Sequence, residues 1–168
     1  MNFCIVDSGT YVLWITTPRR VIVEAGALGR VSLAGGAHLY VGSARRTMAA
    51  RVVRHLSRCA GVPQTLRARS LARLGVAAPA AKKVRWHIDH LLEHPAARVH
   101  RVSLLPGAHC ECDLVQALRD AGAVVAAPGF GASDCRRRCG AHLLRMPRGT
   151  LRQARVVVSA AGEVRELV

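Results

Sequence analysis

The stretch HLYVGSARRTMAARVVRHL (residues 38–56) changes its period halfway along. HLYVG is β-prone and ends on a glycine, and Ser43 and Ala44 lead out of it. From Thr47 to Arg58 the spacing becomes helical. Met48, Ala49, Val52, Val53 and Leu56 form one apolar stripe, while Arg51, Arg54, His55 and Arg58 share the opposite face. A strand that feeds a basic amphipathic helix points to a mixed α/β chain. It also gathers a tyrosine, a glycine, an arginine and a histidine around one junction.

Upstream, GTYVLWITT (9–17) is rich in β-branched and aromatic residues and reads as a strand stopped by Pro18. RVIVEAGALGRVSLAGGAHLYVG (20–42) alternates short β-prone runs with glycine turns, so an antiparallel N-terminal sheet is expected. Downstream, GVPQTLRARSLARLGVAAPAAKK (61–83) reads as a loop or a loosely formed helix. KKVRWHIDHLLEHP (82–95) reads as a second helix with Val84, Ile88 and Leu91 inward, His87 on the same stripe and Pro95 near its end. RVHRVSLLP (98–106) predicts a strand, CECDLVQALRDAG (110–122) a helix closed by Gly122, and AVVAAP (123–128) a short extended run. The loop GFGASDCRRRCGAHLLRM (129–146) follows, and ARVVVSAAGEVREL (154–167) predicts a C-terminal β-hairpin over about residues 150–168. No internal repeat is visible, and the 168 residues fit a single domain.

Twenty-five Lys and Arg against ten Asp and Glu leave a formal charge of +15, which suits a polyanionic partner, nucleic acid ahead of an anionic membrane. Only Lys82 and Lys83 are lysines, so part of the excess reflects an arginine- and alanine-rich composition. No run approaches the ~20 apolar residues of a membrane span, and the first residues lack a basic start followed by an apolar block. The chain reads as soluble, unexported and cytoplasmic, with its six cysteines reduced.

Gly9-Thr10-Tyr11 and Tyr40-Val41-Gly42, followed by a helix with Arg51 and His55 one turn apart, resemble the GIY-YIG endonuclease superfamily. The likeness is closer to its Uri-type branch, whose landmarks YVGSA, RVVRHL, KKVRWHIDHLL, CECDL and GFGASDC…C..HL are similar to and ordered as those here, over about residues 9–145. Thr10 and Val41 stand where isoleucine is usual. The longer interval between the tripeptides fits an extra hairpin around Ala27 to Val31. The resemblance implies a small antiparallel sheet flanked by helices and a divalent-metal-dependent endonuclease acting on DNA, with repair or processing as its setting. It implies Tyr11 as the general base or orienter of the attacking water, Tyr40 as its assistant and Arg51 as the holder of the scissile phosphate. Glu111 is implied as the ligand of Mg²⁺ or Mn²⁺.

A free tyrosine titrates near pH ~10, so as a base it needs nearby cations to favour its phenolate, and Arg51 with the basic helix face is placed to supply them. His55, four residues after Arg51, could share the proton transfer. Asp89 and then Asp134 are the reserve metal ligands among few acidic residues. Gly42, Ser43, Arg45, Arg46, Arg54, Arg58, Lys82 and Lys83 are the expected contacts to phosphate, with Gly42 letting the chain turn close beside it. Each residue also has a plainer reading: strand tyrosines that pack a sheet, surface arginines, a first-turn glutamate favoured by the helix dipole. The substrate is open between single-stranded, damaged, branched and duplex DNA, and a separate DNA-binding or repair protein is a natural companion. The rival readings are a nucleic-acid-binding module that has kept the fold without cutting and a zinc-stabilised interaction domain.

The thiols carry a second expectation. Cys110, Cys112, Cys135, Cys139 and His142 have the donor types of a tetrahedral zinc site, in a spacing that is no familiar zinc pattern, so buried or hydrogen-bonded thiols stand beside it.

Overall fold

The computed structural model describes residues 7–57, 60–81 and 83–168. Its spine is strand β1 (Gly9–Thr17), a run in which nearly every residue is buried. Such a strand must be covered on both faces. It is paired antiparallel on one side with β4 (Gly36–Ala44) and on the other with β5 (Arg98–Pro106). β7 (Leu143–Met146) and β6 (Val124–Val125) extend the sheet beyond β4, and β8 (Arg165–Leu167) extends it beyond β5, giving the order β6-β7-β4-β1-β5-β8. β2 (Val21–Glu24) and β3 (Arg30–Leu33) form a separate hairpin around a 3₁₀ turn at Gly26–Leu28, at the expected extra hairpin.

The alternation of β1 divides the interior into two cores. Tyr11, Leu13 and Ile15 join Tyr40 beneath α1 (Met48–Leu56), α2 (Gln64–Leu74) and α3 (His87–Glu93). Val12 and Trp14 face the opposite layer, α4 (Glu111–Asp120) and α5 (Leu151–Ala160), which contributes Leu114, Val115, Leu118, Ala154 and Val158. Trp14 is a packing residue, its indole N–H donating to Ser103 Oγ at 2.8 Å. The chain is therefore a mixed α/β fold with helices on both faces of an antiparallel sheet. No helix among the described residues is long and apolar enough to cross a membrane.

Two expectations need correction, and one is decided between its alternatives. The C-terminal hairpin is absent: residues 151–160 form helix α5, and 165–167 pair with β5 rather than with a neighbouring strand. Residues 64–74 form a full helix closed by Gly75 in the left-handed region (φ +62°). Val84 does not point inward but is 43% exposed, because α3 begins only at His87.

Candidate functional site

Tyr11, Tyr40, Ser43, Arg51, His55, Trp86 and Glu111 line one cleft of about 220 Å³ at the end of β1 and β4. The antiparallel register puts Gly42 opposite Tyr11 and leaves Tyr40 on the same face, so the two rings lie 6.4 Å apart. The register also corrects the expected role of Gly42. A Cβ there would sit 2.4 Å from Tyr11 Cζ, so its missing side chain makes room for the ring instead of turning the chain.

His55 does not share the solvated face of α1. It is 1% exposed and stands between Tyr11 and α3. Tyr11 Oη and His55 Nε2 are 3.0 Å apart, and His55 Nδ1 lies 3.0 Å from Asp89 Oδ1. Asp89 Oδ2 accepts from Arg54 Nη2 at 2.8 Å and from the backbone N–H groups of Arg85 and Trp86 at 3.0 and 3.1 Å. An ionised Asp89 only accepts, so it accepts the Nδ1–H hydrogen bond, which keeps the proton on Nδ1 and leaves Nε2 as the acceptor of the Tyr11 hydroxyl. Burial would raise the Asp89 pKa, but the hydrogen bonds from His55 and Arg54 outweigh it and hold the carboxyl far below its usual range. Fully buried and surrounded by donors, Asp89 is the anchor of His55 and not a reserve metal ligand.

Both tyrosines are held protonated. Burial, reinforced by Tyr40, pushes Tyr11 well above its ordinary value, and burial with Glu111 does the same to Tyr40; Arg51 opposes both shifts without reversing either. The expected phenolate created by neighbouring cations is therefore not the resting state of Tyr11. Its hydroxyl is hydrogen-bonded to His55.

Glu111 opens the first turn of α4 and is half-buried at the rim of the cleft. Ser43 Oγ donates to its Oε2 at 2.6 Å, so Ser43 steadies the carboxylate. His142 Nδ1 lies 3.0 Å from Oε1 in an ion-pair contact that is not aligned as a hydrogen bond. Burial pushes the Glu111 pKa up, but His142, Ser43 and Arg51 bring it below the ordinary carboxylate value. The carboxylate is thus ionised, with lone pairs left for a cation. Arg51 is braced by its own bond to the Ser43 carbonyl (2.7 Å) and lies 5.1 Å over the Trp86 ring.

The expected phosphate contacts separate into groups. Arg45, Arg46 and Lys83 are exposed, and Arg45 lines a second depression that also reaches Glu111. Arg54 is committed to Asp89 and to the Lys83 carbonyl, and stacks 4.2 Å over Trp86. Asp134 is exposed at the mouth of the main cleft. Arg58 and Lys82 lie outside the described residues. His87 accepts the Gly131 N–H at 3.1 Å, as a packing histidine would.

Of the five possible zinc ligands, four come together. The donor atoms of Cys112, Cys135, Cys139 and His142 all lie within 4.8 Å of one another, a set able to hold a metal ion and of the soft composition that suits zinc. Cys110 stands apart, its Sγ 3.8 Å from Thr10 Oγ1. The thiols share their protons unevenly. Burial with its Cys139 and Cys135 neighbours pushes Cys112 up to about 12. Cys135 falls to about 6, because its hydrogen bonding with the Cys139 backbone and thiol outweighs burial.

The Tyr11–His55–Asp89 chain and the contact of His142 with Glu111 are absent from the sequence reading. The four-residue step from Arg51 to His55 was the trace of the first; nothing local marked the second.

No curated protein and no solved structure matches the chain. One family model matches residues 10–163, which takes in the sheet apart from β8, the Tyr11–His55–Asp89 chain, Glu111 and the thiol cluster. The chain therefore belongs to the family described as Domain of unknown function DUF123.

Proposed function

We propose that the protein is a nuclease of GIY-YIG type that hydrolyses phosphodiester bonds in DNA with the help of a divalent cation. The observation that carries this reading is the Tyr11–His55–Asp89 chain opening on the same cleft as Arg51 and Glu111. Hydrolysis needs a proton taken from water, charge stabilised on the phosphoryl oxygens and a protonated leaving oxygen. Tyr11 Oη takes a proton from the attacking water as its own proton passes to His55 Nε2, and Asp89 stabilises the imidazolium that forms. Water oxygen bonds to phosphorus as the phosphorus–oxygen ester bond breaks, and the leaving oxygen takes up a proton from solvent. Arg51, fixed by Ser43 and Trp86, faces the phosphoryl oxygens.

Glu111 fits a Mg²⁺ or Mn²⁺ site of the kind completed by substrate, since such ions are bound through one or two carboxylates plus phosphate oxygens and water. The ion would neutralise phosphoryl charge. Arg45, Arg46 and Lys83 are the exposed cations nearest to carry the flanking strand.

The test is cleavage of labelled single-stranded, duplex, flap, mismatched and abasic DNA with Mg²⁺, Mn²⁺ or chelator. Wild type is expected to cut at least one substrate in a metal-dependent way, with Arg51→Ala and Glu111→Ala each losing about 10²–10³-fold or more. Binding of several substrates with no cutting would leave a DNA-binding module and remove the enzyme.

A further inference from the structure

Four side chains beyond Glu111 take no part in that hydrolysis. Cys112 follows Glu111 in the first turn of α4, while Cys135, Cys139 and His142 lie on the segment between β6 and β7 that walls the cleft. Cys112 Sγ is 3.6 Å from Cys135 Sγ, which is 3.4 Å from Cys139 Sγ. These separations far exceed the ~2.05 Å of a disulfide. They approach the ~3.8 Å edge of a sulfur tetrahedron drawn around zinc at ~2.3 Å.

Thiols that merely hydrogen-bond one another do not explain His142. It is 2% exposed, and neither of its ring nitrogens has an aligned hydrogen-bonding partner. Nδ1 is the nitrogen that faces Glu111, 3.0 Å from Oε1 though out of hydrogen-bond alignment, which leaves Nε2 for the thiols. A buried, unpartnered ring nitrogen beside three sulfurs is a fourth ligand in waiting.

We propose that Cys112, Cys135, Cys139 and the Nε2 of His142 hold one zinc ion, and that this ion positions Glu111 by setting the His142 ring with its Nδ1–H toward the carboxylate. Four protein ligands leave no open coordination position, so the ion is structural. The arrangement follows a general habit of metal-bound histidines, which present their second nitrogen to a carboxylate and so gain a fixed tautomer and ring plane. Here the benefit runs the other way as well, because the oriented imidazole fixes a carboxylate that opens on the cleft. The ion also adds a tie between α4 and the 129–142 loop, which reaches the site through the Gly131 N–H on His87 and the packing of Gly131 against Tyr40. The zinc site stands independently of the nuclease reading; the role given to Glu111 rests on it.

Protein purified without chelator is expected to carry one zinc per chain. Its cobalt-substituted form is expected to show the visible bands of tetrahedral sulfur ligation. Long-range ¹⁵N–¹H NMR of the zinc-loaded wild type reads which nitrogen of His142 carries the proton, and Nδ1 is expected. His142→Cys keeps four donors and should retain the zinc, while its Mn²⁺ affinity, read by electron paramagnetic resonance, falls about 10–100-fold. Zinc below a tenth of an ion per chain, or metal on Nδ1, overturns the proposal, as does a zinc-loaded His142→Cys that binds Mn²⁺ as tightly as wild type. Should wild type bind no Mn²⁺, the NMR result alone decides the orientation of His142. Failure of zinc-loaded protein to cut DNA would remove the nuclease and leave the zinc stoichiometry to judge this site.

Discussion

At Gly42 the space for a side chain is already filled by the Tyr11 ring, the hydroxyl included: Oη would lie 2.5 Å from an added Cβ. Gly42→Ala must push that ring away from His55 or bend β4. A loss of about 1–3 kcal/mol in thermal unfolding is expected, with cleavage lost at temperatures where the variant is still folded. Retained cleavage would mean that the Tyr11 position is not critical. Asp89 presents the second residue-scale test. Its carboxyl titrates far lower folded than the ~3.9 of an unfolded chain, so its contribution to stability is complete above that value and is lost as pH falls below it. Asp89→Asn should cost roughly 3 kcal/mol at neutral pH. The gap in urea midpoint between wild type and variant should close between about pH 5 and pH 2. The same variant should cut about 10²–10⁴-fold more slowly, because His55 then lacks the anion that steadies its imidazolium. A gap that stays constant with pH would show that Asp89 is not the titrating anchor.

At the scale of elements, α1 and α3 meet around Trp86. Its ring lies against the His55 ring at 5.5 Å and under the guanidinium groups of Arg54 and Arg51. Trp86→Leu keeps an apolar side chain but removes the flat surface on which both arginines rest. A loss of roughly 2 kcal/mol is expected, together with a fall in turnover as Arg51 loses its seat. Unchanged turnover would confine Trp86 to packing. The sequence showed α1, β5 and α4 because their periods are clean and their ends marked. It misled at α5, where Val156, Val157 and Val158 favour a strand. There Ala154 and Val158, one turn apart, bury against α4, and Val156 is left 64% exposed. Packing between distant elements settles such segments, and local propensity cannot show it. Asp89 was misread for the same reason. Its scarcity as a carboxylate suggests a metal, while the side-chain donors that occupy it, Arg54 and His55, arrive from α1, more than thirty residues away.

For the whole molecule, the mixed class followed from the junction at residues 38–56, and both tyrosines with Arg51 were legible as a group. The division into two cores was not, since it depends on which helices cross to which face. The Tyr11–His55–Asp89 chain grows from one layer and Glu111 with its thiol neighbours from the other, and they meet where β1 begins and β4 ends. The sheet carries one further consequence. Its three nine-residue strands lie in the middle, and its margins are stubs of two and three residues. A long bare strand margin is a template for another chain, and β8 covers β5 over only Val102–Leu104. Ending the chain before Arg165 would uncover that margin, and light scattering should then find wild type dispersed and the shortened chain self-associating. Equal behaviour would mean that Arg98 and Arg101, the cations along β5, keep neighbouring molecules apart by repulsion.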